Sequence, residues 1–296
     1  MDIRHIGPCN GEFAFVGEVG GIDLRTPLAP DTAAAIEAGM DRYAILVFHD
    51  QHVTDAQQVA FSLNFGALEP SLANVTKPQD RRLELNIADI SNLDKNNRLL
   101  GRDDKRRMFN LGNMLWHSDS SFKATPAKYS LLSARAVPAK GGETQFADMR
   151  AAYAAFPDDI KAQIEDLITE HSLLYSRSLL GFAAFDDEER RAFAPVLQRL
   201  VRRHPVTGRR SAFLSSHIGT IVGWPVPEAR ALIRDLVEMA TQPQFVHTHH
   251  WRAGDLVMWD NRVTMHRARR YNDTGEVRDM RRTTVEGTPT VVPQAA

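Results

Sequence analysis

The sequence predicts an α+β fold, a β-core with helical additions, on three observations: a globular composition, apolar residues grouped at strand length through most of the chain, and capped helical segments around them. Hydrophobic residues make up 43% and charged residues 25% of the 296, the proportions of a folded domain and not of a long disordered chain or a coiled coil. In the first third, Asp31 is placed to cap a helix over 32–43, and Thr54 with Gln57 forms a capping box before 59–65, which Gly66 stops. Between them, residues 44–48 suit a short buried strand. Leu83, Leu85 and Ile87 alternate with polar residues, which predicts a strand over 83–87, while the charged stretch 92–107 reads as a mobile loop. Helices are expected over 149–171 with a break at Pro157, over 187–194, and over 227–239, where Pro227 suits a first turn. Segments 128–134, 211–215, 245–251, 256–259 and 277–285 read as strands.

Charge and cysteine usage narrow the function classes. Lys and Arg number 36 against 37 Asp and Glu, a net charge of −1 with His neutral, so nothing general attracts a polyanion and no nucleic acid is expected as a partner. No apolar stretch approaches the roughly 20 residues of a membrane helix. The opening MDIRHIGPCNGE has no apolar signal core, and the single cysteine, Cys9, fits a reducing compartment; a cytoplasmic location is the expectation. Without cysteine clusters, a metal site must draw on the 11 histidines and on carboxylates.

Four local features bear on chemistry. In Trp116-His117-Ser118-Asp119 an extended backbone sends residues i and i+2 to one face, so His117 and Asp119 can aim an imidazole and a carboxylate at one point; a hydrogen-bonded His beside a chance Asp is the plainer alternative. GDLVMWDN, an apolar strand ending in a polar turn, is followed shortly by His266, either a third, distant ligand or a satisfied core histidine. Two His and one carboxylate on one side of a metal leave adjacent positions open, which suits Fe(II) oxygen chemistry. On a strand, Arg278, Met280 and Arg282 share a face, and two such guanidiniums can each hold a carboxylate in a pocket or simply form a charged edge. Gly141-Gly142-Glu143-Thr144 reads as a glycine turn entering a strand, with a Thr144 hydroxyl able to donate to an acid.

In this order the features resemble the taurine/2-oxoglutarate dioxygenase family, and within it the 2,4-dichlorophenoxyacetate dioxygenases, through AILVF, FGALE, ADISN, LWHSDSSF, GGETQFADMRAAYAA and GDLVMWDNRVTMHRARRY. The likeness runs from about Gly17 to about Thr284. It implies a double-stranded β-helix, or jelly-roll, core with flanking helices. It further implies His117, Asp119 and His266 as ligands of Fe(II), 2-oxoglutarate as cosubstrate with its far carboxylate on Thr144 and Arg278, and O2 as the oxidant. Arg282 would then hold the carboxylate of a small-molecule substrate, an aryloxyacetate. Asn113 lies where the family places a polar side chain beside both substrates, and His217 matches a histidine near the substrate acid. Family members are often dimers or larger, so a homo-oligomer is expected. Length alone suggests about two domains at roughly 150 residues each; ligands drawn from both halves of the chain make it one domain, 1–296.

Some alternatives stay open. His266 and Arg278 are one residue further apart than the resemblance leads one to expect, so Val277 or Arg281 compete for the roles given to the Arg pair. The segment 70–77 resembles a lid and carries Asn74 where some herbicide enzymes have Lys, with Lys77 nearby, which leaves aryloxypropionates or sulfonates open as substrates. His247 and His249 share a strand face and offer a rival zinc site for a hydrolase. A non-enzymatic jelly roll that keeps a metal for structure is the remaining reading.

Overall fold

The computed structural model describes residues 1–70, 81–181, 185–289 and 292. Its layers follow from strands that are apolar on both faces, because successive side chains point to opposite sides. In Ile45–Phe48, Ile45 and Val47 join one buried cluster while Leu46 and Phe48 join another. The same division separates Leu132 from Leu131 in Ala127–Ala136, and Val257 and Trp259 from Leu256 and Met258 in Leu256–Asp260. These strands are central members of a seven-stranded sheet with the order Asp2–His5, Val16–Gly20, Ile45–Phe48, Leu256–Asp260, Ala127–Ala136, Asp279–Glu286, Ala88–Asp89. Only the pairing of Val16–Gly20 with Ile45–Phe48 is parallel.

Against the inner face of this sheet lies a three-stranded one, Val246–His249, Thr144–Asp148 and Thr264–Ala268. Phe146 from the small sheet packs with Val47, Leu132, Val257, Trp259 and Met280 from the large one, which fills the space between them. The outer faces are closed by helices. Ile36 and Met40 of Pro30–Tyr43 and Phe61 of Asp55–Ser62 cover the large sheet through Leu46, Leu131 and Met258. Ala151 and Ala152 of Met149–Ala155, with Leu236 and Ala240 of Val226–Ala240, cover the small sheet through Ala147 and Met265. Each fully buried Leu or Met here contributes about 1.5–3 kcal/mol of transfer free energy, so the order of layers is strongly enforced. Met265 is turned outward to the helices, and His266, the next residue, therefore points between the sheets.

Local signals hold with shifted ends. The capping box is formed: Gln57 N donates to Thr54 Oγ1 at 3.2 Å and Thr54 N donates to Gln57 Oε1 at 2.8 Å. The first helix starts at Pro30, which needs no amide partner there, so Asp31 sits inside the first turn and Ala29 is the cap. The helix expected over 149–171 ends earlier. It is split into Met149–Ala155 and Asp158–Ile164, and Ile168–His171 is a strand between Val196–Arg199 and Ile218–Ile221.

Two expectations are overturned. Residues 83–87 form turns, Leu85 being exposed, and the strand there is the two-residue Ala88–Asp89. Arg82 donates to Asp89 at 2.6 Å and to Asp279 at 2.7 Å, so charge holds the start of the segment to Asp279–Glu286 and only Ala88 and Asp89 join its ladder. Stretch 92–107 is not a free loop either. Asn92 donates to the carbonyls of Asp273 and Glu276, Asp94 accepts the amides of Asn96 and Arg98, and Asp104 caps the helix Lys105–Asn110. The lid segment 71–77, with Asn74 and Lys77, lies outside the described residues.

Candidate metal centre

His117 and His266 are joined by backbone before any side chain is considered. His117 N donates to His266 O at 3.0 Å and His266 N to His117 O at 2.8 Å, an isolated antiparallel bridge along the edge of the small sheet. Such a rung places two imidazoles side by side, and their ring centroids are 4.2 Å apart. Asp119, two residues on, shares the face of His117, with His117 Nε2 4.0 Å from Asp119 Oδ1 and His266 Nε2 3.6 Å from Asp119 Oδ2. One ligand atom from each of the three lies within 4.8 Å of the others, all three residues are buried, and among the described residues no other group of three His, Cys or acid side chains meets that condition.

The groups around this triad orient it for a cation. His117 Nδ1 lies 2.8 Å from Leu115 O, which keeps the proton on Nδ1 and leaves Nε2 as a lone pair facing Asp119. Asp119 Oδ2 accepts from Ser130 Oγ at 2.7 Å, and Asn261 ties the neighbouring backbone by accepting from Asp119 N at 3.1 Å while donating to Ser130 Oγ. Immediately after Asp119 the chain turns sharply. Ser120 adopts φ 54°, a left-handed conformation unusual outside glycine, and its hydroxyl donates to Glu69 of the FGALE motif at 2.6 Å. Burial drives the pKa of Asp119 upward, but the charge of Arg282, aided by His266, His117 and Ser130, holds it far below the usual carboxylate range. Burial lowers the pKa of both His117 and His266, partly offset by Asp119, so the imidazoles are neutral. One anionic oxygen and two neutral imidazoles, buried together, are a donor set that a divalent cation would satisfy.

Two cavities share His117 in their walls. One is lined by Thr144, Arg278, Tyr271, Trp259, His266 and Leu132. The other is lined by Asp119, His217, Phe122, Arg282, Leu173 and Arg177. Asn113, on the turn of 3-10 helix Leu111–Met114, lines both, as do His117 and Arg282. All eight site residues expected from the sequence thus line one or both of these cavities.

Their detailed environments differ. Thr144 opens Thr144–Asp148 after Gly141 and Gly142, both at positive φ; a Cβ on Gly141 would collide with the carbonyl of Arg270. Trp251 Nε1 donates to Thr144 Oγ1 at 2.9 Å, so the hydroxyl proton remains available for another acceptor. Arg278 is buried and has no carboxylate partner among the described residues, only long bonds from Nε to Gly142 O at 3.3 Å and from Nη1 to Ile90 O at 3.5 Å. Val277 is exposed, and Arg281 bonds to Asp279 away from the cavities. Arg282 donates from Nη1 to Asp119 Oδ1. His217 Nδ1 lies 2.8 Å from Ser176 Oγ, whose own proton goes to Leu173 O, so the imidazole proton sits on Nδ1 and Nε2 is an acceptor. Burial, then the neighbouring His117 and Arg177, keep His217 neutral. Sequence reasoning missed Trp251, Glu69 and Ser130, whose parts depend on neighbours distant in the chain; only FGALE pointed at Glu69.

The rival zinc cluster is not assembled. His249 Nε2 is paired with Asp255 Oδ2 at 3.0 Å in a buried corner that also holds His49, 2.6 Å from Asp255 Oδ1, and among the described residues no third ligand converges with His247 and His249.

Two imidazoles and one carboxylate gathered within reach of one ion, in the walls of two cavities, define the class: an oxygenase of the non-haem iron type. Comparison with known proteins fixes the family. The chain belongs to the taurine catabolism dioxygenase TauD, TfdA family, whose model matches residues 2–284. It is 43% identical over 273 residues, 92% of either chain, to an alpha-ketoglutarate-dependent 2,4-dichlorophenoxyacetate dioxygenase of Burkholderia sp. (strain RASC). It is 40% identical over 241 residues, 79% of either chain, to an (S)-phenoxypropionate/alpha-ketoglutarate-dioxygenase of Sphingobium herbicidovorans. Among solved structures, AAD-2 in complex with Mn(II) and N-oxalylglycine shares 57% identity with a TM-score of 0.93 over 98% of this chain and 99% of its own.

Proposed function

We propose that the protein is an Fe(II)- and 2-oxoglutarate-dependent dioxygenase that hydroxylates the carbon beside the ether oxygen of an aryloxyacetate such as 2,4-dichlorophenoxyacetate, releasing a phenol and glyoxylate with succinate and CO2. The observation that carries the reading is the buried His117, Asp119, His266 set lining two cavities that each contain a buried guanidinium. His117, Asp119 and His266 would hold the iron. Bound there, iron supplies the activation of O2 that couples 2-oxoglutarate decarboxylation to hydroxylation.

The chain's own residues do the rest. Arg278 and the free proton of Thr144 receive the far carboxylate of 2-oxoglutarate, which fixes the length of cosubstrate between them and the metal. Asn113, shared by both cavities, holds a polar contact where the two ligands meet. Arg282 sits beside the substrate acid while steadying Asp119, and His217 lines the same wall. With the acid held, the CH2 between ether oxygen and carboxylate is the carbon offered to the metal. Hydroxylation there gives a hemiacetal, which breaks its own C–O bond to leave the phenol and an aldehyde. The two facing sheets support a double-stranded β-helix, as one catalytic domain over 1–296. A cytoplasmic homo-oligomer is part of the same reading, on the family likeness.

The (S)-phenoxypropionate relative favours aryloxypropionates as a second substrate class. Succinate release measured over aryloxyacetates, aryloxypropionates and sulfonates decides among them. Aryloxyacetates are expected to give the highest kcat/KM, and release with none of the three overturns the proposal.

A further inference from the structure

Among the described residues Arg177 is a cation without a counter-ion. It lies on the short helix Leu173–Ser178, is 7% exposed, and has no carboxylate within ion-pair distance; its Nε has no acceptor at all. An unpaired buried charge is expensive, and a fold retains one where a ligand supplies the missing partner. The guanidinium is held in place by packing instead. It lies 4.1 Å over the ring of Phe109, and Gly112, at the start of the turn leading to His117, leaves the space it occupies: a Cβ on Gly112 would collide with Arg177 Nη1. Stacking uses the flat face of the guanidinium and leaves its N–H edge for a planar acid.

The cavity it lines is the one that also holds Asp119, Phe122, His217 and Arg282. Two of these are poor donors to an acid. Arg282 is committed to Asp119, and His217 carries its proton on the nitrogen turned to Ser176. Burial, then the nearby charge of Arg282, lowers the pKa of Arg177 to about 10, which still leaves it charged at neutral pH. We propose that Arg177 is the principal anchor for the carboxylate of the prime substrate, with Arg282 completing the site from the side of Asp119. Anchoring from Leu173–Ser178 places the acid in the cavity that Arg278 does not line, so each of two small carboxylates has its own buried guanidinium. This inference rests on the proposed substrate class and refines which residue reads it.

The test compares wild type, Arg177→Met, Arg177→Lys and Gly112→Ala, using thermal unfolding with phenoxyacetate and with anaerobic Fe(II) plus 2-oxoglutarate, alongside succinate release. Arg177→Met is expected to bind phenoxyacetate about 10- to 150-fold more weakly, the worth of a charge-assisted hydrogen bond, with its Tm without ligand equal to or above that of wild type and its response to 2-oxoglutarate retained. Arg177→Lys recovers part of the affinity. Gly112→Ala keeps the arginine but displaces it, and loses affinity without loss of fold. Equal phenoxyacetate binding by wild type and Arg177→Met overturns the assignment, as does a fall in Tm together with loss of both ligands, the mark of a structural role. If no acid elicits succinate while phenoxyacetate stabilises wild type but not Arg177→Met, the substrate reading fails and the anchor stands. Succinate release with equal responses in both proteins means the opposite, that the substrate reading stands and the anchor fails. No stabilisation of wild type by phenoxyacetate also overturns the anchor.

Discussion

Replacing Arg278 by Met isolates what a buried guanidinium does for the cosubstrate. Arg278 is 5% exposed, its side chain bonds only to two carbonyls among the described residues, at 3.3 and 3.5 Å, beside the Tyr271 ring at 6.0 Å, and burial lowers its pKa. The cation is therefore poorly compensated until a carboxylate arrives. Two charge-assisted hydrogen bonds at about 1.5–3 kcal/mol each put the loss for 2-oxoglutarate at about 3–6 kcal/mol, so KM for 2-oxoglutarate should rise by two orders of magnitude or more. Because the far carboxylate is held equally before and during the reaction, kcat at saturation should fall much less. Removing an unpaired buried charge should leave Tm without ligand unchanged or higher. Succinate release against 2-oxoglutarate concentration, with Tm measured in parallel, reads both quantities. A KM within about fivefold of wild type, a change smaller than one such bond, refutes the role, and a drop in Tm with KM intact shows a packing role instead.

Three further outcomes are expected. Anaerobic Fe(II) with 2-oxoglutarate should give a weak visible charge-transfer band that His117→Ala lacks; a band of equal strength in the variant removes His117 from the ligand set. Asp260 is wholly buried and accepts from Arg262 and His204, and although burial pushes its pKa up, Arg262 and His204 bring it down to about 2. Its stabilisation is present above the ordinary carboxylate pKa and lost as pH falls through about 2, so Asp260→Asn should cost about 3–5 kcal/mol at pH 7 and the gap to wild type should narrow below pH 4 in urea titrations; a gap that stays constant contradicts the ion-pair account. His247 is pushed down to about 4 by burial and then by His249 and His250. The unfolded chain therefore takes up this proton first, and stability falls between about pH 6.5 and pH 4 by up to about 3 kcal/mol from this group. His247→Phe should remove that part of the slope while His117, His171, His217 and His266 keep theirs, and identical slopes would show that His247 is not the source.

Much of the site was readable because its pieces are local. His117 and Asp119 share a face through strand geometry alone, and Thr54 with Gln57 caps a helix through residues three apart. Layering was also legible, since Val257 and Met258 are adjacent apolar residues that must be buried on both sides of a sheet. What could not be read is set by long-range charge. The alternation of Leu83, Leu85 and Ile87 resembles a strand, yet Arg82 finds Asp89 and Asp279, and charge holds the start of the segment to Asp279–Glu286. Trp251 on Thr144 and Phe109 under Arg177 are likewise partners made by folding, with no spacing in the chain to announce them.

The rung between His117 and His266 carries one more consequence. Its two hydrogen bonds run through peptide groups, so the spacing of the two backbone positions is a property of the sheet and survives substitution of either side chain. A metal entering the site meets donors already spaced and does not have to gather them from a disordered loop. The pairing of the two ligand positions is thus written in the main chain, and only the third donor, Asp119, depends on the turn that follows His117.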